Sequence, residues 1–213
     1  SPMSRGLGDV YKRQVAALVL SEEGKLNLDD PLSKYFPSLK EMKVLNKGEL
    51  VEPNREVTVA DLLRHTSGLT YGRTPHKEIN QAHKNAGILD REKKVVPMMN
   101  GMGKVPLLFE PGSDWVYGCS TDVLGGVVEV ASEMSLDQFF RDRIFKPLKM
   151  KDTGFYVPAN NATRFAANYN YKDGKLTVKD DPKTSRYLEN PTFQSGGGGP
   201  VSYTHLTLPT NGC

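Results

Sequence analysis

The sequence predicts an α+β chain, mainly helical with one β-hairpin. Val123, Leu124, Val127, Val128 and Ala131 fall on one face at helical spacing. Ser135 opens a second apolar stretch through Phe139, Phe140, Ile144 and Phe145, stopped by Pro147. Lys172-Asp173-Gly174 separates segments 165–171 and 175–178, and Asp-Gly between such segments is a hairpin signal.

The rest of the chain reads in order. Val15 to Glu23 is a dense apolar run closed by Gly24, the end of a buried helix with a left-handed stop. Lys25 to Pro31 is a turn, and Pro31 can start a short helix that closes at Tyr35-Phe36-Pro37. Residues 40–56 are mixed and charged, expected as loop or edge. Thr58 caps a helix carrying Val59, Leu62 and Leu63, with Asp61 completing a capping box, and the helix stops at His65 to Gly68. Residues 71–92 are polar and expected as a surface excursion, and 95–102 as a weak helix around Pro97. Phe109 to Gly112 is a turn. The 120–132 helix is expected to be capped by Ser120 or Thr121, with Asp122 at the positive end of its dipole. Its Gly125 and Gly126 are expected to admit a neighbouring backbone.

Composition excludes several classes. The chain has 213 residues, 38% hydrophobic and 25% charged, which argues against wholesale disorder. Its longest apolar run, Val15 to Leu20, is far short of the ~20 residues that span a bilayer. Net charge is +3, with no basic block, so nucleic-acid binding has no support. Two cysteines, Cys119 and Cys213, form no disulfide framework and no metal-ligand spacing. No P-loop, G-x-S-x-G elbow, G-x-G-x-x-G or H-E-x-x-H is present.

The ends read differently from the middle. Residues 4–14 match the translation of a transposon adapter used in sequencing libraries, and 201–210 match its opposite strand. The expectation is therefore a non-native segment 1–14, a native segment 15–199 and a non-native segment 200–213, with any signal peptide lying upstream.

Five strings occur in order: VAALVLSEEGKLNLDDP from Val15, LLRHTSGL from Leu62, PGSDWVYGCSTDVLG from Pro111, IFKPLKMKDTG from Ile144, and SGGGG from Ser195. Together they resemble the beta-lactamase-related serine hydrolases, which include class C beta-lactamases, serine carboxyesterases and D-amino-acid peptidases. The resemblance spans 15–199. It implies a beta-lactamase/transpeptidase-like fold, here incomplete: the helical region plus a β-hairpin, with terminal sheet strands missing. Apolar surface meant for that sheet would be exposed, which predicts a marginal, aggregation-prone chain.

The resemblance also implies chemistry. A serine one turn before a lysine, Ser-x-x-Lys, attacks the carbonyl, and a motif tyrosine shares its proton with that lysine. Water then releases the acyl group. Tyr117 matches the catalytic tyrosine. Cys119 stands where Asn or Ser is usual. A thiol there is a weak donor, which disfavours lactam cleavage; it is read either as a substrate contact or as a small packing residue. Gly197 and Gly198 match the stretch along the substrate cleft, although a glycine run also reads as a linker. His65 and Ser67 belong to a turn. The substrate implied is a small-molecule ester, peptide or lactam, with no cofactor and no metal; the oligomeric state is not fixed.

One element is missing. No serine in the chain has lysine three positions on. By spacing, the pair falls near Leu7 and Val10, within 4–14. The parent is therefore expected to be a serine hydrolase acting through an acyl-enzyme and the 213 residues themselves to be inactive. The alternatives are a non-catalytic penicillin-binding-like or scaffold protein of the same fold, and an unrelated helical interaction module.

Overall fold

The computed structural model describes residues 4–88, 90, 92–192, 194–195 and 201–202. The helices are α1 (Ser4–Glu22), α2 (Val59–Arg64), α3 (Lys77–Ala86), α4 (Val95–Met102), α5 (Ser120–Ser132) and α6 (Leu136–Phe140). The strands are β1 (Val44–Asn46), β2 (Glu49–Val51), β3 (Thr153–Gly154), β4 (Asn168–Lys172), β5 (Lys175–Asp180) and β6 (Val201–Ser202). They form three antiparallel pairs, β1–β2, β3–β6 and β4–β5. The architecture is α+β and mainly helical, as expected.

Helix α5 is the centre, with every residue from Ser120 to Val128 buried. Val123, Leu124, Val127 and Val128 are at 0% exposure, and each such burial contributes about 1.5–3 kcal/mol. Helices α1, α2, α4 and α6 pack around it. Ala16 and Ala17 give α1 a fully buried, small-residue face. Gly24, at φ +70°, ends α1, and Lys25 N–H returns to the Leu20 carbonyl at 2.9 Å. Gly126 of α5 faces side chains, not the backbone the sequence suggested: a Cβ there would meet Val95, Phe36 and Met99 within 3.3 Å.

The Thr58–Asp61 capping box is present in full. Ser135 caps α6 by accepting from Gln138 N–H. The α6 chain then widens into a π-helical turn, Arg141–Phe145. At the β4–β5 hairpin, Asp173 and Gly174 take φ of 52° and 75°, the left-handed pair that an Asp-Gly turn supplies.

Three further expectations differ from the structure. Residues 71–92 contain α3, because Ile79, Ala82, His83 and Ala86 line its inner face at helical spacing within a polar sequence. Residues 44–51 form the β1–β2 hairpin around left-handed Lys47 and Gly48. Neither Ser120 nor Thr121 caps α5: its N-cap is Cys119 with no side-chain cap, and the Ser120 hydroxyl is paired with Ser67 at 2.9 Å.

Candidate active site

Two of the sequence strings meet edge to edge. The segment 65–70 lies against 108–119, stitched by Val116 N–H to the His65 carbonyl (3.1 Å), Gly112 N–H to Thr66 (2.8 Å) and Leu108 N–H to Gly68 (2.9 Å). The Cys119 thiol adds a bond to the Thr70 carbonyl at 2.9 Å. Contact is closest at Gly118, where a Cβ would stand 2.0 Å from the Leu69 carbonyl oxygen and 2.8 Å from the Thr70 Cα. Only glycine fits between Tyr117 and Cys119 at that separation.

This junction sets Tyr117 just before α5, half exposed at 53%. Its ring lies 5.1 Å from His65 and 5.8 Å from Tyr71, and His65 also meets Trp115 at 6.2 Å. His65 itself ends α2 in the left-handed conformation, φ 59°, so the turn aims its ring at the tyrosine.

Beneath the aromatics lies Asp122, 2% exposed in the first turn of α5. Its carboxylate accepts the Ser195 hydroxyl at 2.6 Å and the Tyr71 hydroxyl at 3.4 Å. A carboxylate at a helix N-terminus is held by the unpaired N–H groups and the dipole. Burial, then the charge of Asp122, pushes the Tyr71 phenol far above its ordinary pKa, so Tyr71 is a donor throughout the working range. Burial holds the His65 imidazole below its ordinary pKa, with Asp122 opposing, and Nδ1 is buried with no hydrogen-bond partner among the described residues. Burial likewise raises the Cys119 thiol well above its ordinary value.

Of the residues singled out by sequence, Tyr117 stands open at the head of α5. Cys119 is fully buried, its thiol turned toward Thr70. Gly197 and Gly198 lie outside the described residues. The entry to their run is placed, however: Ser195 bonds Asp122, and the Gln194 side chain accepts Asp137 N–H at 2.6 Å. In the sequence Asp122 reads only as a helix-dipole residue, and Tyr71 belongs to no motif. Their signals were a carboxylate five positions after Tyr117 and a tyrosine in the segment following Ser67-Gly68. Among the described residues no group of His, Cys, Asp and Glu could hold a metal ion, and no helix is long and apolar enough to cross a membrane.

Comparison with known proteins gives a consistent picture. The Beta-lactamase family model matches residues 14–204. An uncharacterized protein of Mycobacterium tuberculosis is 32% identical, aligned over 86% of this chain and 46% of its own length. The lovastatin esterase of Penicillium rubens is 34% identical over 67% of this chain and 36% of its own. Among solved structures, EstCE1, a hydrolase with promiscuous acyltransferase activity, has a TM-score of 0.76 at 26% identity, covering 92% of this chain and 54% of that one. Simvastatin synthase (LovD) of Aspergillus terreus, in a mutant form, has a TM-score of 0.71 at 28% identity, covering 92% and 47%. The chain spans about half the length, or less, of these relatives.

Proposed function

Because this chain belongs to the Beta-lactamase family, with the beta-lactamase/transpeptidase-like fold shared by hydrolases and acyltransferases, we propose that its parent cleaves small-molecule esters through an acyl-enzyme, with Tyr117 as the catalytic phenol. The observation that carries this is the placement of Tyr117: a half-exposed phenol at the head of the central helix, beside a buried carboxylate and a second phenol kept protonated.

The attacking hydroxyl belongs to a Ser-x-x-Lys pair that the 213 residues do not contain. In the parent, the serine Oγ bonds to the ester carbonyl carbon as its proton passes to the Tyr117–lysine pair. The C–O bond of the leaving alcohol then breaks, and the alcohol takes that proton. Water, giving up its proton to the same pair, attacks the acyl carbon; the C–Oγ bond breaks, Oγ takes that proton back, and the carboxylic acid leaves. An alcohol in place of water turns the step into acyl transfer. The esterase and acyltransferase names of the relatives support both outcomes on one acyl-enzyme.

We place Gly197 and Gly198 along the substrate, since Ser195, two residues earlier, already reaches the carboxylate below Tyr117. Cys119 belongs with the packing residues of the 69–70 junction. Ester cleavage is favoured over lactam because an inward thiol stands where an amide would hold a lactam carbonyl. We infer that the 213 residues alone are inactive, since they hold no Ser-x-x-Lys pair.

The test is to recover the intact reading frame. Ser-x-x-Lys upstream, together with turnover of p-nitrophenyl butyrate by the full-length protein and none by the 213-residue chain, supports the proposal. A frame without that pair sinks it and leaves a binding protein of the same fold. Turnover by the 213 residues alone overturns the claim of inactivity.

A further inference from the structure

The chain folds a second concave surface that shares no residue with the tyrosine cluster. The π-helical turn after α6 and the segment 146–164 enclose a cavity of about 500 Å³, within the size range of small-molecule sites. Its floor is apolar, with Phe145, Met150 and Val157 all buried. Its rim is cationic: Arg141, Lys146, Lys149, Lys151 and Arg164 against only Asp137 and Asp152.

Ion pairs at the rim fix its shape. Arg164 grips Asp152 with two bonds of 2.8 Å, Arg141 meets Asp137 at 2.9 Å, and Lys146 meets Asp142 at 2.7 Å. Each of these three cations is neutralised by its carboxylate, so the net positive charge of the rim rests on Lys149 and Lys151. Lys149 has no ion pair among the described residues, and Lys151 adds its charge beside the already paired Asp152.

Two backbone features coincide here. The wall that carries Arg141 and Phe145 is the π turn, closed by Lys146 N–H to the Arg141 carbonyl at 2.9 Å. Such turns recur at functional sites. Lys149 is left-handed, φ 55°, where glycine is the relaxed choice. A lysine at that point keeps a cation on the rim at a cost in backbone strain.

We propose that this cavity binds an amphiphilic carboxylate, its aliphatic chain on the Phe145–Val157 floor and its carboxylate at Lys149 and Lys151. The probe is decanoate, titrated calorimetrically into the 213-residue chain and into the variant K149G/K151Q. Glycine at 149 suits the left-handed backbone, so the variant keeps the fold, which far-UV circular dichroism verifies. The expected result is saturable decanoate binding, weakened about tenfold in the variant and weakened by added salt, with decanol binding more weakly. Absence of saturable binding overturns the proposal. So does equal affinity in the variant, decanol binding as tightly as decanoate, or inorganic phosphate binding as tightly, since phosphate makes no use of the apolar floor. No step of the test requires catalysis, so its failure is separate from any failure of the esterase reading.

Discussion

The Ser195 hydroxyl donates to the Asp122 carboxylate at 2.6 Å, across 73 residues of sequence. This bond anchors the entry of the glycine run at the first turn of α5, five residues past Tyr117. The same carboxylate receives Tyr71, so one buried charge ties three segments distant in sequence into one site.

Asp122→Asn keeps the shape and removes the charge. The negative charge favours the imidazolium of His65 and opposes burial, which disfavours it. Its removal therefore lowers the His65 pKa further below the ordinary value. Titration of the His65 ring protons by NMR checks this; an unchanged or raised midpoint contradicts the assigned field. Stability follows the same sign. A histidine held neutral in the fold contributes stability above the unfolded value of ~6.5, and that contribution falls away as pH drops toward the folded value.

Gly118→Ala forces a Cβ into a backbone carbonyl 2.0 Å away, and backbone cannot swing aside as a side chain can. The expected cost is about 3 kcal/mol, read as a drop in the urea midpoint. Gly174→Ala, in a hairpin turn with open space but φ +75°, loses only about 1 kcal/mol from strain. Equal losses contradict the close approach of 118 to Leu69.

Asp61 sits at 0% exposure, gripped by the Arg55 guanidinium at 2.6 and 2.9 Å. Burial pushes its carboxyl up, but Arg55 and Thr58 prevail and hold it below the ordinary value. A carboxylate lowered by folding contributes stability above ~3.9, lost as pH falls through the folded value. Arg55→Ala costs about 1–3 kcal/mol at neutral pH and moves the acid-unfolding limb to higher pH. A limb that stays in place, followed by circular dichroism, excludes this pair as its source.

Tyr117→Phe in the full-length parent lowers kcat by about 10²–10⁴-fold, the usual scale for a proton-transfer group, with KM little changed. An effect confined to KM makes Tyr117 a binding residue instead.

Much of this was legible in the sequence because it depends on neighbours along the chain. The Thr58–Asp61 capping box, the left-handed stop at Gly24 and the Asp173-Gly174 turn are interactions within a few residues. The α5 stripe is equally local, since a helix brings residues three and four apart onto one face. Helix α3 was missed because its inner face, Ile79, Ala82, His83 and Ala86, carries little apolar weight and includes a histidine. Ser120 does not act as a cap because its hydroxyl is held by Ser67, 53 residues away, a contact no local pattern shows.

By itself, then, the sequence determined the mainly helical α+β composition, the order of its family strings and Tyr117 as the residue to watch. The tertiary structure alone decided what surrounds that phenol: that Gly118 presses on Leu69, that Cys119 turns inward, and that Asp122 gathers Tyr71 and Ser195. Local hydrogen bonds and periodicity are written in adjacent letters. Contacts closed by packing depend on which surfaces meet, and that is settled only when the whole core forms.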